Sequence, residues 1–374
     1  MIDLSPLFGP PDAPAAETLS FRVFPAMGAE RWMIERSQKR PWHLKTWPRT
    51  SLRARLIHQG AWALGAVGLH LPHRTEGFSV APGSPYGQLR EEFEHLGIFL
   101  GTPGPNRKIV VYAGRADRSV FVKIPLGPES AALIAREAEA LQILSSDAEL
   151  APLVPRATRI AGQLALDDVE SDGTSHAAVD IGELARIHDL LERRTATTRP
   201  LAELRSEWTG TGVAASPLHS ATERAAELRA RASAFAFLDA LPGDQQVPCY
   251  MAHGDFTRWN VLRAADGSAR IIDWELYGLK PRWFDLLHYV VSHHLLVART
   301  QAPKVLQDLH RVAQLIGAAG QEDAWWRHVG LYFVYQSLYY TEVYGRQSQL
   351  HPQALWQLVA WADVLDLLRA RISA

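Results

Sequence analysis

The 374-residue chain has one cysteine, Cys249. No intrachain disulfide can form, a zinc site built on cysteine thiolates is excluded, and a reducing compartment is the expectation. Long apolar runs are missing too. The longest, Ala61 to Leu71, falls well short of the ~20 residues that span a bilayer. The opening Met1-Ile2-Asp3-Leu4-Ser5-Pro6 lacks the basic-then-apolar form of a signal peptide, which points to a cytoplasmic protein. Charge of one sign is also lacking: 39 Lys and Arg stand against 40 Asp and Glu, a formal net charge of −1. That balance offers no global attraction to a polyanion, so no nucleic-acid partner is expected.

What remains is the composition of a globular enzyme, 47% apolar with 12 tryptophans, at a length where a single core gives way to two lobes. The most informative stretch is Met251-Ala252-His253-Gly254-Asp255-Phe256-Thr257-Arg258-Trp259-Asn260-Val261-Leu262, followed by Ile271-Ile272-Asp273-Trp274-Glu275. Two β-type runs, Asn260 to Arg263 and Arg270 to Trp274, flank a polar segment whose Asp266-Gly267 pair signals a hairpin. Such a hairpin sets Asn260 beside Asp273, with Asp255 on the loop just before. Magnesium takes hard oxygen ligands and one or two carboxylates from a protein, a task that suits Asn260 and Asp273. Asp255 is left to orient an attacking hydroxyl, and because phosphoryl transfer is mostly positioning and charge neutralisation, the set suffices.

His-Gly-Asp, four residues, Asn, then Ile-Asp-Trp-Glu after a hairpin resembles the catalytic core of the aminoglycoside phosphotransferase and choline kinase superfamily, relatives of the protein kinases. The resemblance implies an ATP- and Mg2+-dependent kinase, with GTP as an alternative nucleotide. Asp255 and Asn260 are then catalytic, and Asn260 and Asp273 hold the metal. Asp285, after Gly278 and Pro281, matches an aspartate whose implied role is to bond the backbone of the catalytic loop.

The amino-terminal half bears on the nucleotide. Ile98 to Leu100, a turn at 101–106 with Gly101 and Gly104, Lys108 to Tyr112 and Ser119 to Ile124 read as strand, turn, strand, strand, the order of a kinase-like lobe. The turn is not Gly-x-Gly-x-x-Gly; Gly101 and Gly104 are its candidate nucleotide contacts. Lys123 shares a strand face with Phe121, opposite Val120, Val122 and Ile124. An inward lysine needs a partner. On the helix expected over Glu129 to Leu144, Glu137 shares an apolar face with Leu133, Ala140, Leu141 and Leu144, whereas Glu139 points about 200° away. By resemblance, Lys123 contacts phosphate and Glu137 anchors it.

Residues 31–75 hold nine Lys or Arg against one acid, Glu35, interleaved with Trp32, Trp42, Trp47 and Trp62. Three readings stand: an extension packed on the lobe with its tryptophans as core, peripheral docking to an anionic membrane surface, or recognition of an anionic acceptor. Helices are expected over Ser84 to Leu96, Ala178 to Arg194, Ala221 to Leu241, Pro303 to Leu315, Trp325 to Tyr344 and Pro352 to Ile372. By resemblance, 161–174 is the hinge between lobes. Adjacent His293 and His294 on a helix diverge by about 100° and do not share a metal.

The expected fold is α+β, bilobal and protein-kinase-like, with a small antiparallel-sheet lobe and a mainly helical one. An N-terminal extension (1–96) lies on or near the amino-terminal lobe (97–170), and the helical lobe (171–374) carries catalytic loop and metal site. The expected function is transfer of the nucleotide γ-phosphate to a hydroxyl of a small molecule or glycan, an envelope or polysaccharide sugar being one such acceptor. A pseudokinase scaffold binding an anionic partner through the basic segment, and a nucleotidyl transferase on the same fold, are the rivals. Acceptor identity and oligomeric state are not written in the sequence.

Overall fold

The computed structural model describes residues 2–14, 16–27, 30–47, 52–101, 106–169, 179–210, 218–264, 266–347 and 350–372. The chain forms two compact units, Met1–Ala177 with Trp259–Leu276, and Ala178–Arg258 with Tyr277–Ala374.

The first unit is built on an eight-stranded antiparallel sheet. Its strands are β1 (Glu17–Phe24), β2 (Trp32–Glu35), β3 (Arg74–Val80), β4 (His95–Phe99), β5 (Lys108–Arg115), β6 (Arg118–Pro125), β7 (Ala157–Ile160) and β8 (Gln163–Asp167), in the order β3-β1-β2-β4-β5-β6-β8-β7. Residues 1–96, expected as an extension, supply three of these strands and begin a fourth. Strand alternation explains the sheet's two faces. Leu19, Phe21 and Val23 of β1, Ile98 of β4, Ile109 and Val111 of β5 and Val120, Val122 and Ile124 of β6 enter one core. Helices α1 (Ser5–Phe8) and α3 (Pro85–Glu92) contribute Phe8, Tyr86 and Leu89 to it. Each such fully buried side chain is worth about 1.5–3 kcal/mol relative to exposure.

Of the intervening elements, helix α2 spans Leu52–Ala66, and the 3-10 turn Trp42–Thr46 lies against β4 and β5. Gly97 lets that turn approach: a Cβ there would stand 2.3 Å from the His43 nitrogen. Trp32 stacks on Trp47 at 4.4 Å and Trp42 on His95 at 4.2 Å, so these tryptophans do pack inside the unit. The helix expected to reach Leu96 ends at Glu92, because His95 and Leu96 pair with Gly114 and Ala113 in the sheet. Helix α4 (Pro128–Ser145) buries Ile134, Glu137, Ala140, Leu141 and Leu144.

The second unit begins with α5 (Ile181–Thr195), whose N-cap Asp180 accepts from the Glu183 amide at 2.9 Å. Strand β9 (Thr197–Pro200), α6 (Leu201–Thr209), α7 (Ala221–Asp239) and β10 (Gln246–Ala252) follow. The chain then returns to the first unit as the hairpin β11 (Val261–Arg263) and β12 (Ala269–Ile271). The expected second strand stops short of Trp274 because Asp273 turns to φ 68° and Trp274–Leu276 closes a 3-10 turn. Back in the second unit, β13 (Gly278–Pro281) pairs with β10 in a sheet of order β13-β10-β9. Helices α8 (Phe284–Ser292), α9 (Ala302–Leu315), α10 (Glu322–Gly345) and α11 (Pro352–Ile372) complete it, with α7 packed on α10 and α11. No helix among the described residues is long and apolar enough to cross a membrane.

Candidate active site

In the first unit, the β6 register pairs Lys123 with Val110, and the Lys123 side chain lies on the face covered by α4. Its ammonium donates to both Glu137 oxygens, at 2.7 and 2.6 Å, and to Asp273 Oδ1 at 2.7 Å. Lys123 is 7% exposed and Glu137 fully buried. Burial alone would lower the Lys123 pKa, but the charges of Asp273, Glu137 and Glu275 outweigh it and hold the ammonium above its ordinary range. A second lysine, Lys108 at the start of β5, bonds Glu275 and lies 3.7 Å from Asp273. Burial, then the neighbouring Asp273 charge, pushes the Glu275 carboxyl upward.

The hairpin brings Asn260 and Asp273 to one end. Val261 pairs with Ile271, and the Ile272 amide donates to the Asn260 carbonyl at 2.9 Å, leaving Asp273 one residue beyond. A left-handed φ at a non-glycine residue is a costly conformation that the surroundings must hold, and it aims Asp273 away from the strand. The Trp274 indole anchors the turn by donating to Ile271 O at 3.1 Å.

Glu137, Asp273 and Glu275 place carboxylate oxygens within 4.8 Å of one another. Three carboxylates against two ammoniums leave a surplus negative charge, and the Asp273 side chain is 34% exposed. This oxygen-rich, net-negative set fits a hard divalent cation. The other candidate cluster among the described residues, His188, Asp189 and Glu192, fits less well, because Arg282 already pairs with Glu192 at 2.8 Å. His293 and His294 do not converge: the His294 nitrogens face Thr300 at 3.1 Å and Asp308 at 3.5 Å.

In the second unit, β10 delivers His253, Gly254 and Asp255. Asp285 Oδ2 accepts from the His253 amide at 2.7 Å and Oδ1 from the Gly254 amide at 3.0 Å, fixing the loop by its backbone as expected. The Asp285 amide donates to the Tyr250 hydroxyl at 3.0 Å, and the Asp255 amide to His253 Nδ1 at 3.2 Å. Asp255 Oδ1 lies 3.2 Å from His288 Nε2, and its side chain stays 30% exposed. His288 Nδ1 faces Tyr332 Oη at 3.0 Å and Gln336 Nε2 at 3.1 Å.

Lys123, Glu137 and Asp273 thus meet directly, Asn260 borders them, and Asp255 has its own network in the other unit. Gly101, at φ 74°, lies next to Lys108: a Cβ there would be 2.4 Å from the Lys108 carbonyl. Gly104 lies outside the described residues. Sequence reasoning missed Lys108, Glu275, His288, Tyr332 and Gln336. Strand parity was a usable signal for Lys108, since Val110, two residues on, faces Lys123 across the pair. Glu275 closes the Ile-Asp-Trp-Glu run but was given no role, and no local signal tied His288, Tyr332 or Gln336 to Asp255.

Residues 106–313, more than half the chain, match the family model described as APH, phosphotransferase enzyme family. The chain belongs to that family of phosphotransferases. Solved structures similar to it include a choline kinase, LicA, from Streptococcus pneumoniae, at 15% identity over 69% of this chain and 89% of that one, TM-score 0.41. A thermostable mutant of an aminoglycoside phosphotransferase in apo form shares 12% identity over 74% and 94%, TM-score 0.45. A glucosamine kinase in complex with glucosamine, ADP and inorganic phosphate shares 18% over 78% and 87%, TM-score 0.36. No curated protein matches the sequence.

Proposed function

We propose that this chain transfers the γ-phosphate of ATP, with Mg2+, to a hydroxyl of a small molecule or glycan. The observation that carries the reading is the buried contact of Lys123 with Glu137 and Asp273. Lys123, held by Glu137, contacts nucleotide phosphate. Asn260 and Asp273 hold the metal, which when bound neutralises phosphate charge. Asp255 takes the proton of the acceptor hydroxyl, and its carboxylate is partly exposed. Gly101, beside Lys108, contacts the nucleotide.

An acceptor screen tests this by ADP release from MgATP and MgGTP across sugars, glycolipid precursors, choline, amino alcohols and aminoglycosides. Turnover that Asp255→Ala abolishes while nucleotide affinity persists is the expected result. Retained turnover in that variant removes the base assignment, and pyrophosphate in place of ADP makes the protein a nucleotidyl transferase.

A specific observation favours a peripheral membrane contact as well. Helix α2 packs inward through Ala61 and Trp62, and through His58, whose Nε2 is 3.2 Å from Leu44 O. Its outward face is mostly apolar: Leu56 is 60% exposed, and Ile57, Gly60, Ala63 and Leu64 are exposed beside it, with Gln59 the polar residue among them. No acidic residue occurs between Glu35 and Glu76. An apolar face within a basic stretch suits an anionic headgroup boundary. Flotation with phosphatidylcholine vesicles containing phosphatidylserine should capture the chain, and Leu56→Glu with Leu64→Glu should release it. No capture by anionic vesicles removes the reading.

A further inference from the structure

We infer that His288 is a positioning residue for Asp255, holding one carboxylate oxygen through an Nε2–H donor and so setting the side-chain rotation in which the carboxylate meets the acceptor hydroxyl. The inference rests on the assignment of Asp255 as the base, and a base must be ionised to act.

The hydrogen-bond inventory around His288 leaves little freedom. Its Nδ1 faces the Tyr332 hydroxyl and the Gln336 amide, and its Nε2 faces Asp255. Burial, then the nearby Asp255 charge, pushes the Tyr332 phenol far upward, so it stays protonated and able to donate. With the Gln336 nitrogen toward the ring, Nδ1 is an acceptor and the neutral imidazole carries its hydrogen on Nε2. In that orientation Gln336 Oε1 is buried without a partner. Turning the amide over would set Oε1 against Nδ1, which must then carry a hydrogen. The neutral Nδ1–H form would leave a bare Nε2 lone pair 3.2 Å from a carboxylate oxygen, two acceptors facing each other. Only the imidazolium fits that second orientation. In both consistent arrangements Nε2 bears a hydrogen aimed at Asp255 Oδ1.

The network is well placed to hold that geometry. His288 is three residues after Asp285 on α8, and Asp285 already fixes the backbone of His253 and Gly254. One short helix therefore sets both the main chain before Asp255 and its side-chain rotation. Tyr332 and Gln336, four residues apart on α10, close the far side of the ring. Misplacing a reacting group by an ångström costs roughly 100-fold in rate.

Two readouts test the proposal. Long-range proton–nitrogen spectra of the histidine-labelled chain, with the His288 signal assigned by its loss in His288→Gln, should show hydrogen on Nε2. A bare Nε2 overturns the proposal without any acceptor being known. In the second, ADP release from MgATP with water as acceptor is followed in variants. His288→Leu should lower kcat about 10- to 100-fold with KM for MgATP within twofold. His288→Gln, whose amide nitrogen reaches near the Nε2 position, should recover most of that loss. Asp255→Asn with His288→Leu should be no slower than Asp255→Asn alone, because the two act as one unit. An unchanged kcat in His288→Leu, no rescue by glutamine, or additive losses in the pair overturn it. Wild-type turnover in Asp255→Asn instead removes the base assignment beneath it.

Discussion

Replacing Asp273 by asparagine should leave the ligand-free protein nearly as stable as before and remove its response to magnesium and nucleotide. Asp273 lies 2.7 Å from the Lys123 ammonium and 3.7 Å from that of Lys108. At the effective dielectric of about 20 that suits such sites, these attractions are about 6 and 4.5 kcal/mol gross. Against them stand Glu137 and Glu275, each with an oxygen within 4.8 Å, repelling by about 3.5 kcal/mol apiece. The remaining surplus is the size of the several kcal/mol needed to desolvate a carboxylate, and partial exposure of Asp273 screens it further. The net cost of Asp273→Asn is therefore about 1 kcal/mol or less, a melting shift of about 3 °C at most. Glu137→Gln is the contrast. Glu137 is fully buried and gives both oxygens to Lys123, so losing its charge should cost about 3–5 kcal/mol and about 6–15 °C. The assay is differential scanning calorimetry of wild type and both variants, with and without MgATP. Wild type should be stabilised by MgATP through its binding to the folded state, and Asp273→Asn should not. An Asp273→Asn that melts lower than Glu137→Gln, or keeps the MgATP shift, refutes the division between a metal carboxylate and an anchoring one.

Two further outcomes follow from buried polar groups. Asp285→Asn leaves one of the His253 and Gly254 amides facing an NH2 group in a buried site, at a cost of about 2–3 kcal/mol, read as a lower urea midpoint; an unchanged midpoint contradicts it. Burial, with nearby His70 and Arg22, holds His43 down to about 3, and burial holds His328 down to about 4. Unfolded imidazoles titrate near ~6.5, so between those values the unfolded state binds more protons and stability falls as pH drops from about 6.5 toward 4. His328→Phe should flatten that decline by about 3 kcal/mol at pH 4; an identical pH profile of the urea midpoint would count against it.

Where periodicity and chemistry coincided, the sequence was readable. The alternation of Val120 to Ile124 aimed Lys123, and the apolar stripe of α4 selected Glu137 over Glu139; both sit where those patterns place them. The Asp266-Gly267 turn placed Asn260 beside Ile272 and Asp273. Strand joining in the amino-terminal region was not readable, because β1, β2 and β3 find partners by pairing that no local pattern encodes. His288 meets Tyr332 and Gln336 from more than forty residues away, and such a meeting is set by helix packing. Asp273 with a left-handed backbone was equally hidden, since one residue's φ leaves no mark on periodicity.

The return of Trp259–Leu276 to the first unit bears on how the chain is made. Glu137 leaves the ribosome 136 residues before Asp273 does, and Lys123 earlier still, a wait of at least about 7–27 s at ordinary rates of synthesis. Until the hairpin and its Trp274 turn arrive, α4 has nothing of that turn to lie against. The amino-terminal unit is thus finished only after a stretch of its neighbour, through Arg258, has already been synthesised. A nascent chain stalled before residue 273 presents a sheet with its lysine and glutamate paired but the third member of the cluster missing. Quality-control factors that sense unfinished cores have that interval in which to act, and fragments ending near residue 177 should be cleared by proteases faster than those extending past Leu276.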